Sequence, residues 1–310
     1  GLTEKTANTL RSHQNGKLKS QLIDGEEYPD NLYQSDENNE WKVKPEYQDL
    51  PYIKNGILEK ILQAHPEDRK ANIYATGLER GNSHIGYTAV SILFLREHNR
   101  ICDELSNRNP SWEDERIFQT ARMINIVLLL KIVIEDYINH IAPVSFPLKV
   151  DVSFPEKQQW YRENWISLEF DLLYRWHPLV PDHLDLKGER HPPRAYRTNN
   201  ALLEDVGLAE LLQSSSLQPA GKIQLFNTPN FLLGAEYEAI KMGRDFKLRS
   251  YNEYREQFGL DPIRSFNELT KNEEARKRLK ELYGDIDNLE FFIGLFAEDP
   301  SLPKALYGDL

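Results

Sequence analysis

Residues 169–182 read EFDLLYRWHPLVPD. Phe170, Leu173, Tyr174 and His177 fall at i, i+3, i+4 and i+7, the spacing of one helical face. Pro178 has no backbone donor and disfavours αR geometry at His177, so the helix is expected to stop or kink there. The spacing therefore predicts a buried face that ends in an imidazole, with a phenol one turn above it. Two readings fit. One is a core helix whose Tyr and His are satisfied by packing and hydrogen bonds, and spacing alone favours it. The other is a metal-ligating His with a redox-active Tyr beside it.

The rest of the chain narrows the choice. It has 310 residues, enough for one large or two ordinary domains. A formal charge of −11 argues against a nucleic-acid partner, because no basic stripe is present to neutralise phosphates. The single Cys102 excludes an intrachain disulfide framework and suits a reducing compartment. No CxxC or HExxH spacing offers a zinc site. The run IVLLL at residues 126–130 is interrupted by Lys131, so no segment is expected to span a bilayer. The chain opens GLTEKTANTL without a methionine, which points to a piece of something longer.

Residues 1–70 are polar and turn-rich and read as loops, with a short hairpin at residues 17–27. Helical patterning begins near Ile85. Residues 89–105 place Val90, Leu93, Phe94, Ile101 and Leu105 near helical spacing, and NRNP stops them. Ser111 is the expected N-cap of the next helix, with Asp114 at the capping-box position. That helix, residues 113–141, is apolar on more than one side and is expected deep in the core, ended by Pro143 and Pro147. Further helices are expected at about residues 200–214, 230–242, 250–258, 265–284 and 286–297. Little period-two alternation and no linker are visible, which predicts a mainly α domain with little β over residues 1–310.

Eight ordered blocks carry a resemblance: NGKLKSQLIDGEEYP (15–29), FLREHNRICDEL (94–105), DERIFQTARMI (114–124), KIVIEDYINHI (131–141), EFDLLYRWHPLVPD (169–182), SYNEYREQFGL (250–260), SFNEL (265–269) and ELYGDIDNLEFF (281–292). The chain resembles the animal-type haem peroxidase superfamily, and within it the cyclooxygenase-like fatty-acid dioxygenase branch. The fold implied is the helical catalytic domain of that family, represented here in part. The cofactor implied is haem b, with the position matching His177 as proximal iron ligand and that matching Tyr174 as the catalytic tyrosyl radical. Neutral imidazole is a good iron ligand, so the chemistry suits the assignment. The resemblance further implies that Tyr137 hydrogen-bonds Tyr174. It also implies that Asn252 bonds the other ring nitrogen of the proximal His and that Arg255 binds a haem propionate. Arg80 falls where peroxidases place a distal Arg that polarises peroxide, and equally reads as a loop Arg. Tyr137, Ile141, Val144, Phe170, Leu173, Trp176 and Tyr307 match positions along the family's substrate channel. His98 and Arg100 lie in a block that is structural in the family, and a buried His98 paired with Glu or Arg is expected.

The pattern also breaks. The family's distal His, its membrane-binding helices and the Arg that captures the fatty-acid carboxylate all match positions upstream of these residues. Val144 and Ala142 replace a Tyr and a Ser of the cyclooxygenase channel, and Phe292 replaces a Tyr behind the proximal His. These changes favour a linear hydroperoxide over an endoperoxide. The implied function is haem-dependent dioxygenation of polyunsaturated fatty acids by a tyrosyl radical, with O2 and peroxide as co-reactants and associated peroxidase activity. The other readings are a haem peroxidase without fatty-acid oxygenation and a haem-free helical scaffold. The expected location is the cytoplasm, or a membrane periphery reached through segments outside these residues, in a bacterial source.

Overall fold

Asp24 and Gly25 both take positive φ, 51° and 83°. Two such residues make the turn whose twist matches a hairpin, and Ser20–Ile23 pairs antiparallel with Glu26–Pro29 across it. The expected hairpin is present, displaced a few residues towards the C-terminus. The computed structural model describes all residues except 1–2, 64–68, 142–147, 152, 154, 160, 162–164 and 303–304. Val144, Ala142 and the two prolines expected to end a helix lie outside the described residues. Among the described residues the strands form three two-stranded hairpins and the remaining elements are helical. The mainly α expectation holds. The chain divides into two compact units, residues 1–131 with 183–218 and residues 132–182 with 219–310.

In the first unit, residues 1–70 hold more structure than loops. They form helices at Glu4–Leu10, Pro51–Lys54 and Ile57–Gln63 and a second hairpin, Tyr33–Ser35 with Trp41–Val43. Each element is too short to show a period, yet together they bury Leu32, Tyr47, Leu50, Tyr52 and Leu58. The helix Ile85–Arg108 runs as expected, but its buried stripe is Ile85, Ala89, Ile92, Ile101 and Cys102. Val90 and Leu93 are 47% and 45% exposed. Ile101 is buried as expected and Leu105 packs beside it, so the expected phase fails at Val90 and Leu93 and holds in the second half of the helix.

Ser111 does not cap the following helix, Asp114–Lys131. It lies in a turn closed by Trp112 N–H on the Asn109 carbonyl at 2.9 Å. The Asp114 carboxylate instead accepts from Arg11 Nη2 at 2.7 Å and from Gly16 N at 2.6 Å, which removes it from any capping box. Nor is this helix deep in the core. It buries only Ile117, Phe118 and Ala121, while Ile126 to Leu130 are 37–43% exposed. The helical backbone continues to Ile141, and by length and composition alone this stretch is apolar enough to cross a membrane. That corrects the sequence expectation, since Lys131, even with Arg122, does not bring the mean hydropathy of the stretch below that of a spanning segment. A core helix of a soluble protein passes the same test.

His98 is 3% exposed, with Nε2 3.0 Å from the Gly16 carbonyl and Phe118 edge-on to its ring. It is structural, as expected, but its partner is a backbone carbonyl rather than Glu or Arg. Burial, with Arg11 nearby, holds its pKa below the ordinary 6.5, against the opposing pull of the Gly16 carbonyl. A folded-state pKa below the unfolded one means the unfolded chain takes up the proton first, so stability falls as pH drops through about 6.5. His98→Gln keeps an amide donor for Gly16 without a titrating ring. Its denaturant midpoint is expected to fall less than the wild type's between pH 7.5 and 5.5. Equal falls would show that His98 is not the group responsible.

The second unit is built on Leu172, Tyr251, Phe266, Leu289, Phe291 and Phe292. Ser250 and Glu253 form a reciprocal capping box that starts the helix Tyr251–Gln257. A Cβ at Gly294 would lie 2.2 Å from the Tyr251 ring, so glycine lets the helix Phe291–Ala297 approach that closely. The backbone from Ile132 to Ile138 is a π-helical turn that carries Tyr137, a distortion that often marks functional sites.

Candidate active site

The helix of the opening stretch spans Leu168–Leu173, with Ser167 as its N-cap and Tyr174 as its C-cap. It ends four residues before His177, which instead begins a 3-10 turn, His177–Leu179. Tyr174 and His177 therefore do not share a continuous helix. Pro178 disfavours a continued α-helix through the residue before it, and the chain leaves the helix at the Tyr174 cap and resumes as a tighter 3-10 turn from His177. The buried residue of the helix is Leu172, whereas Phe170 and Tyr174 are 47% and 44% exposed. The expected buried face is thus the partly open one.

On that face the aromatic residues converge. The Tyr174 and Tyr137 hydroxyl oxygens are 2.8 Å apart. Trp176 stacks on Tyr174 with centroids 4.5 Å apart and planes at 22°, and Phe170 stacks on it at 5.2 Å. Trp176 Nε1 donates to the Leu173 carbonyl at 3.0 Å, and the Tyr307 hydroxyl donates to the same oxygen. Burial and the hydrogen bond with Tyr174 push the Tyr137 pKa upward. Tyr137 therefore keeps its proton, and either hydroxyl of the pair can donate to the other. Tyr137, Phe170, Leu173, Tyr174, Trp176 and Tyr307 are brought together in one patch. Ile141 is half-buried at the end of its helical segment. Arg80 lies in the other unit, in the turn Glu79–Asn82, with its side chain 80% exposed and paired with Glu79 at 3.7 Å.

His177 sits on a braced turn. Asn227 Nδ2 donates to the Pro178 carbonyl at 3.1 Å, and Gly221 N–H donates to the Leu179 carbonyl at 3.0 Å. A Cβ at Gly221 would collide with the Pro178 oxygen at 2.1 Å. His177 Nδ1 lies 3.1 Å from Glu236 Oε1, and its Nε2 has no protein partner among the described residues. One ring nitrogen held and the other open is the donor set a proximal haem ligand needs. The imidazole of His177 fits the ligand role for a haem at this position.

Two second-sphere expectations change. Asn252 does not meet the imidazole. Its Nδ2 donates to the Ile263 carbonyl at 2.9 Å and to Asp287 at 2.6 Å, and its Oδ1 accepts from Ile263 N at 2.9 Å. An amide held by the Ile263 backbone on both its atoms and by the Asp287 carboxylate clamps a loop. Arg255 is paired with Glu298, both side chains 8% exposed, and its Nε donates to the Asp261 carbonyl at 2.8 Å. Its guanidinium is engaged within the core rather than offered to a propionate. Glu236 and Glu298 were missed by sequence reasoning. They lie 59 and 43 positions from their partners, and no short-range pattern links them.

The family model described as animal haem peroxidase matches residues 1–310. The chain is 36% identical over 302 residues to prostaglandin G/H synthase 2 of Gallus gallus, covering 97% of this chain and 46% of the relative. It is equally 36% identical over 301 residues to prostaglandin G/H synthase 1 of Rattus norvegicus, with the same coverage of each. The chain thus spans about half the length of the curated relatives it matches. Among solved structures, peroxidase A from Dictyostelium discoideum superposes with a TM-score of 0.75 at 22% identity, covering 100% of this chain and 58% of that one. Fatty acid alpha-dioxygenase from Arabidopsis thaliana gives 0.73 at 21%, covering 100% and 51%. At these identities the structural matches speak for the fold.

Proposed function

This chain belongs to the animal haem peroxidase family, and from that premise we propose that it is the part of a fatty-acid dioxygenase that carries the proximal ligand His177 and the radical-forming Tyr174. The observation that carries the reading is the 2.8 Å contact between the Tyr174 and Tyr137 hydroxyls, three residues before an imidazole with one nitrogen open. Held on His177 Nε2, haem b supplies the one-electron oxidising power, with a hydroperoxide as terminal oxidant. Tyr174 gives up one electron, and its phenolic proton passes to solvent, to which it is 44% exposed. The Tyr137 hydroxyl stays protonated and donates to the phenoxyl oxygen. The Tyr174 radical then takes a hydrogen atom from a bis-allylic carbon, restoring its O–H bond. O2 adds to the carbon radical, and the resulting peroxyl group recovers a hydrogen atom from Tyr174, leaving a lipid hydroperoxide and the radical ready for another cycle.

Phe170, Leu173, Trp176 and Tyr307 give that carbon radical an apolar, aromatic surround. The names of the relatives, prostaglandin G/H synthases and fatty acid alpha-dioxygenases, support a lipid substrate. Exposure of Tyr174 favours a second reading, in which small phenols reduce the oxidised cofactor and no lipid reacts. Oxygen uptake separates the two. With haem, a trace of hydroperoxide and linoleate, dioxygenation consumes O2 in step with conjugated-diene formation. Phenol oxidation without lipid-dependent O2 uptake would sink the dioxygenase reading.

A further inference from the structure

Glu236 opens the helix Leu233–Asp245, and its Oε1 receives two contacts, from His177 Nδ1 at 3.1 Å and from the Thr228 hydroxyl at 2.9 Å. The His177 and Glu236 side chains are 24% and 15% exposed, so water competes weakly for either. A carboxylate has no proton to donate, and a contact of this length therefore requires the hydrogen on Nδ1. The loop supplying Thr228 also supplies Asn227, which braces the backbone of the His177 turn through the Pro178 carbonyl. Ring and turn are thus fixed from one side of the chain, and Nε2 is left as the only lone pair.

We infer that Glu236 is the positioning residue that selects the His177 tautomer and, by holding a negative charge on Nδ1–H, makes Nε2 a more electron-rich ligand to a haem iron. This rests on the reading of His177 as the axial ligand. The amide at Asn252 is committed to Ile263 and Asp287, so the charged acceptor replaces a neutral one. An acceptor on the far nitrogen raises the basicity of a ligating imidazole, and losing it costs about 10–100-fold in affinity. A more basic axial ligand also favours the ferric state, so the carboxylate lowers the reduction potential.

The test uses the full chain and three variants. In the cofactor-free wild type, nitrogen chemical shifts of labelled histidine should report His177 as the Nδ1–H tautomer, and Glu236→Leu should shift it towards a mixture. With haem added, Glu236→Leu should bind about 10–100-fold more weakly and have a higher reduction potential. Glu236→Gln, which keeps a neutral acceptor, should regain most of the affinity and little of the potential. A merely structural Glu236 would move neither tautomer nor potential, and unchanged values in both variants overturn the inference while leaving His177 as ligand. If His177→Gly binds haem with an unaltered spectrum, the ligand assignment falls and this inference with it.

Discussion

Tyr174→Phe is expected to abolish fatty-acid oxygenation while peroxide-dependent oxidation of small phenols continues. The substitution removes one oxygen and keeps the ring, so the stacking with Trp176 and Phe170 at 4.5 and 5.2 Å has no reason to change. The Tyr137 hydroxyl loses its partner, a loss of about 1 kcal/mol where water can replace it, which Tyr174's exposure provides. Chemistry suffers far more, because phenylalanine has no O–H bond to exchange for a C–H bond. The tyrosyl signal in electron paramagnetic resonance should change or vanish together with lipid oxygenation. If both activities are lost, Tyr174 serves packing, as the plainer reading of its spacing holds. If both persist, the radical resides elsewhere, and Tyr137 and Tyr307 become the residues to test.

Stability should respond most to the buried pair Arg255–Glu298. Glu298 accepts from Arg255 and from the Tyr251 hydroxyl, with both charged side chains 8% exposed. Burial, then the hydrogen bond to Glu298, pushes the Tyr251 pKa upward, so the phenol stays a donor. Glu298→Ala strands a guanidinium and a hydroxyl in the core at once. Breaking a buried pair from one side costs about 3–5 kcal/mol, against a total stability of about 5–15 kcal/mol. The double variant Arg255→Met with Glu298→Leu removes both charges and should recover most of that loss, because desolvation offsets much of what such a pair contributes. Denaturant midpoints of the single and double variants measure this. A single variant within about 1 kcal/mol of wild type would mean the pair is solvated in practice and contributes little.

The contrast between these two sites shows what a sequence read alone reveals. Tyr174 and His177 were legible because they stand at i and i+3 and a proline follows; the chemistry is written locally. That they lie on a cap and a separate turn was not legible, since spacing fixes angular position only while the helix persists. Tyr137 was placed beside Tyr174 by resemblance. The π-helical turn that aims it leaves no trace in composition, because it changes hydrogen-bond register and not residue type. Arg255 shows the opposite failure. A guanidinium in a capped helix carries the same letters whether it faces a cofactor or a buried carboxylate 43 positions away, and the choice is made by tertiary packing. The apolar run near Leu128 predicted burial, but a residue's hydropathy states a preference, and whether a neighbour covers it is a property of the fold.

The central claim is that His177 presents Nε2 to a haem iron within reach of the Tyr174–Tyr137 pair. The most direct measurement is an absorption titration of the purified chain with haem b, alongside His177→Ala. A saturable Soret band with the spectrum of a single histidine ligand is expected in the wild type. Loss of that band, or its conversion to that of weakly ligated haem, is expected in the variant. Matching spectra and matching affinities for the two proteins would show that His177 does not ligate the iron.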